Sequence, residues 1–191
     1  MSATPQIAAI ILAAGLSTRA APLNKLLVDF GGVTMVRRTV EQVLASHAAP
    51  VIVVTGHQQV AVEAALQGLD LQFTHNPDFA KGMASSLGCG LSHLPDAADG
   101  ALICLGDMPE VQPTTINALI SALDPTTGRD ICVPIEDGRR GNPVLFGRRF
   151  FAELSAIDGD RGGKAVLKAH ADAVSEVAVA DPGIHIDHDK P

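Results

Sequence analysis

A Rossmann-like three-layer α/β/α sandwich built on a predominantly parallel sheet is the fold this sequence predicts. Three observations carry it. Short apolar, strand-like runs alternate with amphipathic, helix-like ones along most of the chain, the pattern of repeated strand–helix–strand units. Hydrophobic residues make up 47% of the chain but aromatics only 3%, so Ala, Val, Ile and Leu must build the core, which suits buried parallel strands under small-residue helices. A length of 191 residues predicts one domain, 1–191, large enough for a sizeable core.

The elements follow in order. Residues 7–12 are continuously apolar and read as the first strand. Residues 33–46 carry Val36, Val40, Val43 and Leu44 at helical spacing. A β-branched run at 51–55 is the second strand, and 60–66 a helix. Further strands are expected at 69–74 and 101–105, with a helix beginning after Gly82 between them. Residues 114–123 read as helix, 131–134 as strand, and 143–146 as another paired strand. The turn-rich stretch 124–128 is expected to start an inserted hairpin over the site, and the polar residues 181–191 to be partly disordered. In such sheets ligands bind beyond the carboxyl ends of the strands, where the first loop, Asn76 and Asp107 all fall.

Composition narrows the function. A formal net charge of −7 argues against a nucleic-acid partner, which would want a basic face. Cys89, Cys104 and Cys132 have no Cys-x-x-Cys spacing and read as small core residues of a reducing compartment. No basic, apolar leader opens the sequence and no apolar run reaches membrane-spanning length, so a cytoplasmic protein with no membrane partner is expected.

Three segments carry chemistry. The first strand runs into Leu12-Ala-Ala-Gly-Leu-Ser-Thr-Arg19, followed by Asn24-Lys25. Small residues let the backbone approach a ligand and present its N–H groups to an anion, while Arg19 and Lys25 add the positive charge a triphosphate requires. Neither the Walker A pattern nor Gly-x-Gly-x-x-Gly is present. Next, Gly106-Asp107-Met-Pro109 sets one carboxylate at a strand end, as either a Mg²⁺ ligand or a turn cap. Finally, His75-Asn-Pro-Asp-Phe-Ala-Lys-Gly-Met-Ala-Ser-Ser-Leu87 offers the Asn76 amide, for backbone groups or for a base edge. Its Ser85 and Ser86 lie near a helix start, as caps or as anion ligands.

Together these segments resemble the MobA-like nucleotidyltransferases, whose first loop reads Leu-Ala-Ala-Gly-x-Ser-x-Arg-Met-Gly-x-x-x-Lys. Within them the chain is most similar to the molybdenum cofactor cytidylyltransferase branch. Ala20 and Ala21 replace the usual Met-Gly. Further matches are Arg139-Arg-Gly-Asn-Pro-Val-Leu-Phe146, Gly159-Asp-Arg-Gly-Gly-Lys164 (with Gly163-Lys164 in place of Ala-Arg) and Gly183-Ile-His-Ile-Asp-His-Asp-Lys-Pro191.

The resemblance implies a fold of the nucleotide-diphospho-sugar transferase type and transfer of CMP from CTP to molybdenum-loaded molybdopterin, with release of pyrophosphate. It implies catalytic roles for Arg19, Lys25 and Asp107. Leu12, Ala13, Ala14, Gly15, Thr55, Gly56, Asn76, Ser85 and Gly106 would bind nucleotide with Arg19 and Lys25. Ser86, Arg139, Asn142, Asp160 and Lys164 would bind the acceptor, and Asp107 with Asp187 would hold Mg²⁺. Cytidine rather than guanosine rests on Ala-Ala-Gly, where the guanylyl branch more often has Ala-Gly-Gly, Ala14 adding volume against the larger base. The alternatives are a non-catalytic cofactor carrier serving a molybdoenzyme client, or a same-fold transferase using GTP or another phosphate acceptor.

Overall fold

The structure, a computed structural model, describes residues 5–16, 24–159 and 162–188. Its centre is an eight-stranded sheet of β1 (Ile7–Ala13), β2 (Val51–Thr55), β3 (Gln72–His75), β4 (Gly100–Leu105), β5 (Ile131–Glu136), β6 (Arg139–Arg140), β7 (Val144–Gly147) and β8 (Val174–Ala178). β1 lies between β2 and β4, parallel to both, and β3 continues beyond β2. On the other side β7 joins β4 to β5 by antiparallel ladders. β6 pairs antiparallel with the far end of β5, and β8 pairs parallel with it. All strands except β6 and β7 therefore run one way.

Alternation along β1 divides the interior. Ile7, Ala9, Ile11 and Ala13 face a cluster that includes Val36, Val40 and Val43 of α1 (Met35–Leu44), Val62 of α2 (Gln59–Ala65) and Ile116, Leu119 and Ile120 of α4 (Pro113–Ala122). Ile10 faces the other way, towards Leu87 and Leu91 of α3 (Met83–Leu91), Leu154 of α5 (Phe151–Ser155) and Val166 of α6 (Lys164–Ala169). Both faces of β1 are thus covered, which is why it reads as a continuous apolar run instead of an alternating one. Among the described residues no helix is long and apolar enough to cross a membrane.

Three sequence expectations need correction. The third strand begins at Gln72, not at residue 69: Leu69 and Leu71 pack half-buried against the α1/α4-side cluster before the ladder starts. The turn at 124–128 is a 3-10 turn, Pro125–Thr127, capped by Asp124. It precedes β5 and so sits at the amino end of the sheet, away from the strand ends where ligands bind. The hairpin at the carboxyl end is β5–β6, turning through Asp137 and Gly138 at φ 48° and 74°. Both residues are in the left-handed region that a two-residue hairpin turn requires, where glycine is unstrained. Finally, residues 181–188 form an ordered strap: Asp181 caps a 3-10 turn, Pro182–His185, and Ile184 is fully buried.

Candidate active site

The chain order around β1 reverses between β2 and β4, which opens a crevice at the carboxyl ends of β1 and β4. Two opposite charges meet there from segments 82 residues apart: Lys25 Nζ lies 2.5 Å from Asp107 Oδ2. Local sequence explains both positions. Lys25 opens a 3-10 turn whose cap is Asn24, the Asn24 side chain accepting from Leu26 N at 3.1 Å, while Leu26 is buried in the core. With its neighbour anchored below, Lys25 is held at the rim. Asp107 follows Gly106, whose N–H donates to the Leu12 carbonyl at 3.0 Å and whose carbonyl accepts from the Thr39 hydroxyl at 3.1 Å. A Cβ at Gly106 would lie 3.0 Å from that Leu12 oxygen, so glycine lets the β4 loop close on β1.

The two side chains are only 17% and 14% exposed. A carboxylate this sheltered is favoured by a cation beside it, and the Lys25 ammonium is that cation here. The strap runs alongside: His188 N donates to the Asp107 carbonyl at 3.2 Å, which brings Asp187, itself exposed, to the same rim. Among the described residues no group of three or more His, Cys, Asp or Glu gathers. One or two carboxylates fit a hard divalent ion that takes its remaining ligands from phosphate oxygens and water, such as Mg²⁺, better than a zinc site closed by protein ligands.

The remaining residues expected to bind nucleotide divide by what they touch. At Gly15 no atom of the described residues lies within 4 Å of where a Cβ would stand. Ala13 and Ala14 are buried. The Ala14 carbonyl accepts from His57 N at 3.2 Å, and its methyl would meet a Cβ at Gly56 at 2.8 Å. That methyl is packed into the α3-side cluster, so its volume does not sort bases as the sequence led us to expect. Gly56 is glycine because Phe79 and Ala14 crowd it.

Thr55 is buried, its hydroxyl shared between Glu63 Oε1 at 3.3 Å and the Thr74 carbonyl at 3.4 Å. Asn76, 3% exposed, donates from Nδ2 to Ser85 Oγ at 2.9 Å and Ser86 Oγ at 3.0 Å, and its Oδ1 accepts from Asp78 N at 3.0 Å. Ser85 in turn donates to the carbonyls of Asp78 and Gly82. Asn76, Ser85 and Ser86 therefore form a bracket that fastens the end of β3 to the start of α3, with the amide committed internally.

Of the residues expected at the acceptor, Arg139 is exposed on the β5–β6 hairpin, where its neighbour Arg140 is ion-paired to Glu176 at 2.7 Å. Asn142 N donates to the Ile184 carbonyl at 2.9 Å. Lys164 is exposed at the start of α6. The loop before it packs on α3, Ala84 N donating to the Gly159 carbonyl at 3.0 Å. Arg19, Asp160 and Asp189 lie outside the described residues. Sequence reasoning missed Asp181 and His188. The only local signal for Asp181 was an aspartate before Pro-Gly, the mark of a capped turn; nothing local announced its distant partners.

The model of the MobA-like NTP transferase domain matches residues 9–174. The bifunctional protein GlmU of Sorangium cellulosum is 28% identical over 94% of this chain, which spans 38% of that relative's length. A probable molybdenum cofactor guanylyltransferase of Natronomonas pharaonis is 31% identical over 65% of this chain and 59% of its own. A nucleotidyl transferase from Methanothermobacter superposes with a TM-score of 0.79 at 26% identity, covering 93% of this chain and 88% of that one. Rv0371c of Mycobacterium tuberculosis, solved with manganese, superposes at 0.74 with 27% identity, covering 93% and 89%. With a Lys–Asp pair at the switch point and a family match over residues 9–174, this chain belongs to the MobA-like NTP transferase domain family of nucleotidyltransferases.

Proposed function

We propose that this chain is a Mg²⁺-dependent cytidylyltransferase that moves CMP from CTP to the terminal phosphate of molybdenum-loaded molybdopterin. The observation that carries the reading is the Lys25–Asp107 pair, which sets a cation beside a carboxylate where the segments after β1 and β4 meet. An oxygen of the acceptor phosphate attacks the α-phosphorus of CTP in line. The new P–O bond forms as the bond to the bridging α–β oxygen breaks, and pyrophosphate leaves with that oxygen. The attacking oxygen is ionised at neutral pH, so the protein supplies position and charge balance without a general base.

Gly15 and its neighbours take the triphosphate backbone to backbone, and Lys25 turns from Asp107 to the phosphates. Asp107 and Asp187 would hold Mg²⁺, which neutralises phosphate charge when bound. The cytidine assignment is supported by the Asn76–Leu87 segment, which resembles the cytidylyl branch. GTP is the second reading, favoured by two observations: the Ala14 methyl is buried in the core, and a probable guanylyltransferase is among the relatives.

Pyrophosphate release decides, measured with Mg²⁺, the molybdenum-loaded acceptor and either CTP or GTP. Release with CTP alone is the expected result, and release with GTP alone moves the chain to the second reading. Nucleotide binding without release under either condition refutes transfer to this acceptor and leaves a carrier or another phosphate acceptor.

A further inference from the structure

We infer that Asp181 is a positioning residue: it seats the 181–188 strap on the start of α4, so that Asp187 is presented beside Asp107 and the metal site is complete only with the strap docked. This rests on the reading of Asp107 and Asp187 as metal ligands.

Asp181 is 3% exposed, and a buried carboxylate is tolerated only when its oxygens are fully engaged. Its Oδ2 accepts from Gln112 N at 2.9 Å and from the Thr115 hydroxyl at 2.6 Å, and its Oδ1 accepts from Gly183 N at 3.0 Å. Gln112 is the N-cap of α4, but its own side chain does not cap the helix; it donates to the Glu110 carbonyl instead. The helix start is therefore capped from 69 residues away, with the negative charge where the helix dipole favours it.

Asp107 lies just upstream of that helix, and the strap holds the intervening segment at both ends, Gln112 through Asp181 and the Asp107 carbonyl through His188 N. Between those points the fit is close. A Cβ at Gly183 would stand 2.5 Å from the Glu110 carbonyl carbon and oxygen. Ile184 is fully buried, its carbonyl accepting from Asn142 N, and a Cβ at Gly141 would stand 2.5 Å from that carbonyl oxygen. At the far end the His188 ring meets Glu110 Oε1 at 2.8 Å and packs edge-on against Phe30, centroids 5.1 Å apart. The strap thus ties together the β4–α4 segment carrying Asp107, the β6–β7 loop and the segment that follows Lys25. A turn cap alone would need none of these contacts.

The test uses the full chain with Mn²⁺ as probe. Its binding is followed by electron paramagnetic resonance with and without CTP, alongside hydrogen exchange. Asp181→Asn leaves one carbonyl oxygen where two carboxylate oxygens accept three hydrogen bonds, and turns an NH₂ towards an N–H. Gly183→Ala wedges the strap off Glu110 and leaves the Asp181 carboxylate itself in the chain, its Oδ1 2.9 Å from the new Cβ. Both variants are expected to weaken Mn²⁺ binding about tenfold or more, the effect of losing a group that orients a metal ligand. Both should also lose exchange protection at the amides of Asn142 and His188 while β1 and β4 keep theirs.

Asp187→Ala should weaken Mn²⁺ similarly, and adding Asp181→Asn to it should weaken binding no further. Wild-type Mn²⁺ affinity in Asp181→Asn and Gly183→Ala, with Asp187→Ala impaired, overturns the positioning role and leaves the metal reading standing. Wild-type affinity in Asp187→Ala overturns that ligand assignment and this inference with it. Should Asp181→Asn lose protection throughout the sheet, Gly183→Ala alone decides by the same criteria.

Discussion

Gly56→Ala puts a methyl where three atoms already stand: Phe79 Cβ at 2.7 Å, Ala14 Cβ at 2.8 Å and the Ala14 carbonyl oxygen at 2.9 Å. None is the far end of a flexible side chain, so none can swing away. Carbon atoms in ordinary contact sit about 3.5–4 Å apart, and restoring that spacing means parting the ends of β1 and β2 by roughly 1 Å. The contact to give way is the His57 N–Ala14 O hydrogen bond, already 3.2 Å long. Overpacking of this kind costs about 1–3 kcal/mol, and the lost bond adds about 1 kcal/mol. A loss of about 2–4 kcal/mol corresponds to a fall in Tm of roughly 5–15 °C for a chain of this size.

The chain has no tryptophan or tyrosine, so urea unfolding is best followed by far-ultraviolet circular dichroism. Calorimetric titration with CTP should show weaker binding in parallel, because the displaced residues lead directly into Gly15. Ala14→Gly in the same molecule removes one of the three contacts and should recover part of the stability. A change below about 0.5 kcal/mol with unaltered nucleotide affinity, the size expected at an unconstrained surface position, would refute the packing argument.

Asp107→Ala should cut metal-dependent turnover at least about a thousandfold while the circular dichroism spectrum and Tm stay near wild type; full activity in pyrophosphate release removes the metal role. Asn76→Ala deletes a buried amide that makes three hydrogen bonds and should cost about 2–3 kcal/mol in urea unfolding with little change in nucleotide affinity. The opposite pattern, stable protein with poor binding, would mean that the amide reads the base. Burial raises the thiol pKa of Cys104 well above the ordinary range and that of Cys132 from 9.0 to about 11. A thiol reagent at pH 8 should therefore label Cys89 in the native protein and the other two only on unfolding. The sign follows from linkage: above pH 9 the unfolded Cys132 thiol ionises first, so stability falls between pH 9 and 11. Cys132→Ala should flatten that slope in urea midpoints measured across the window.

Much of this architecture was legible because it is written locally. The apolar run of β1, the β-branched run of β2 and the valines of α1 each state their period within a few residues. Lys25 and Asp107 were readable as charges set at two strand ends, and both lie at the switch point. What stayed hidden depends on partners far along the chain. Leu69 and Leu71 look like strand residues until the cluster they pack against is seen. Asn76, Ser85 and Ser86 carry the letters of a ligand site, yet they hydrogen-bond one another. Thr55 and Ala14 are turned into the interior by the same logic. The strap looked like a solvated polar tail because its anchors, Gln112, Thr115, Glu110 and Gly141, are scattered over the preceding segments.

The hairpin of β5 and β6 has an evolutionary consequence. The crevice beside β1 is assembled from loops that follow separate parallel strands, so altering one of them disturbs a ladder shared with its neighbours. The opposite rim is one contiguous stretch, leaving β5 at Glu136, reversing at Asp137-Gly138, pairing back on β5 as β6 and reaching β7 at Val144. Its inner part is pinned where Gly141 and Asn142 receive Ile184, whereas the reversal before it pairs with β5 and, through Arg140, with β8. That short stretch can lengthen, shorten or change charge as a single cassette. The turn can therefore change while the parallel ladders that set Lys25 and Asp107 at the switch point stay as they are.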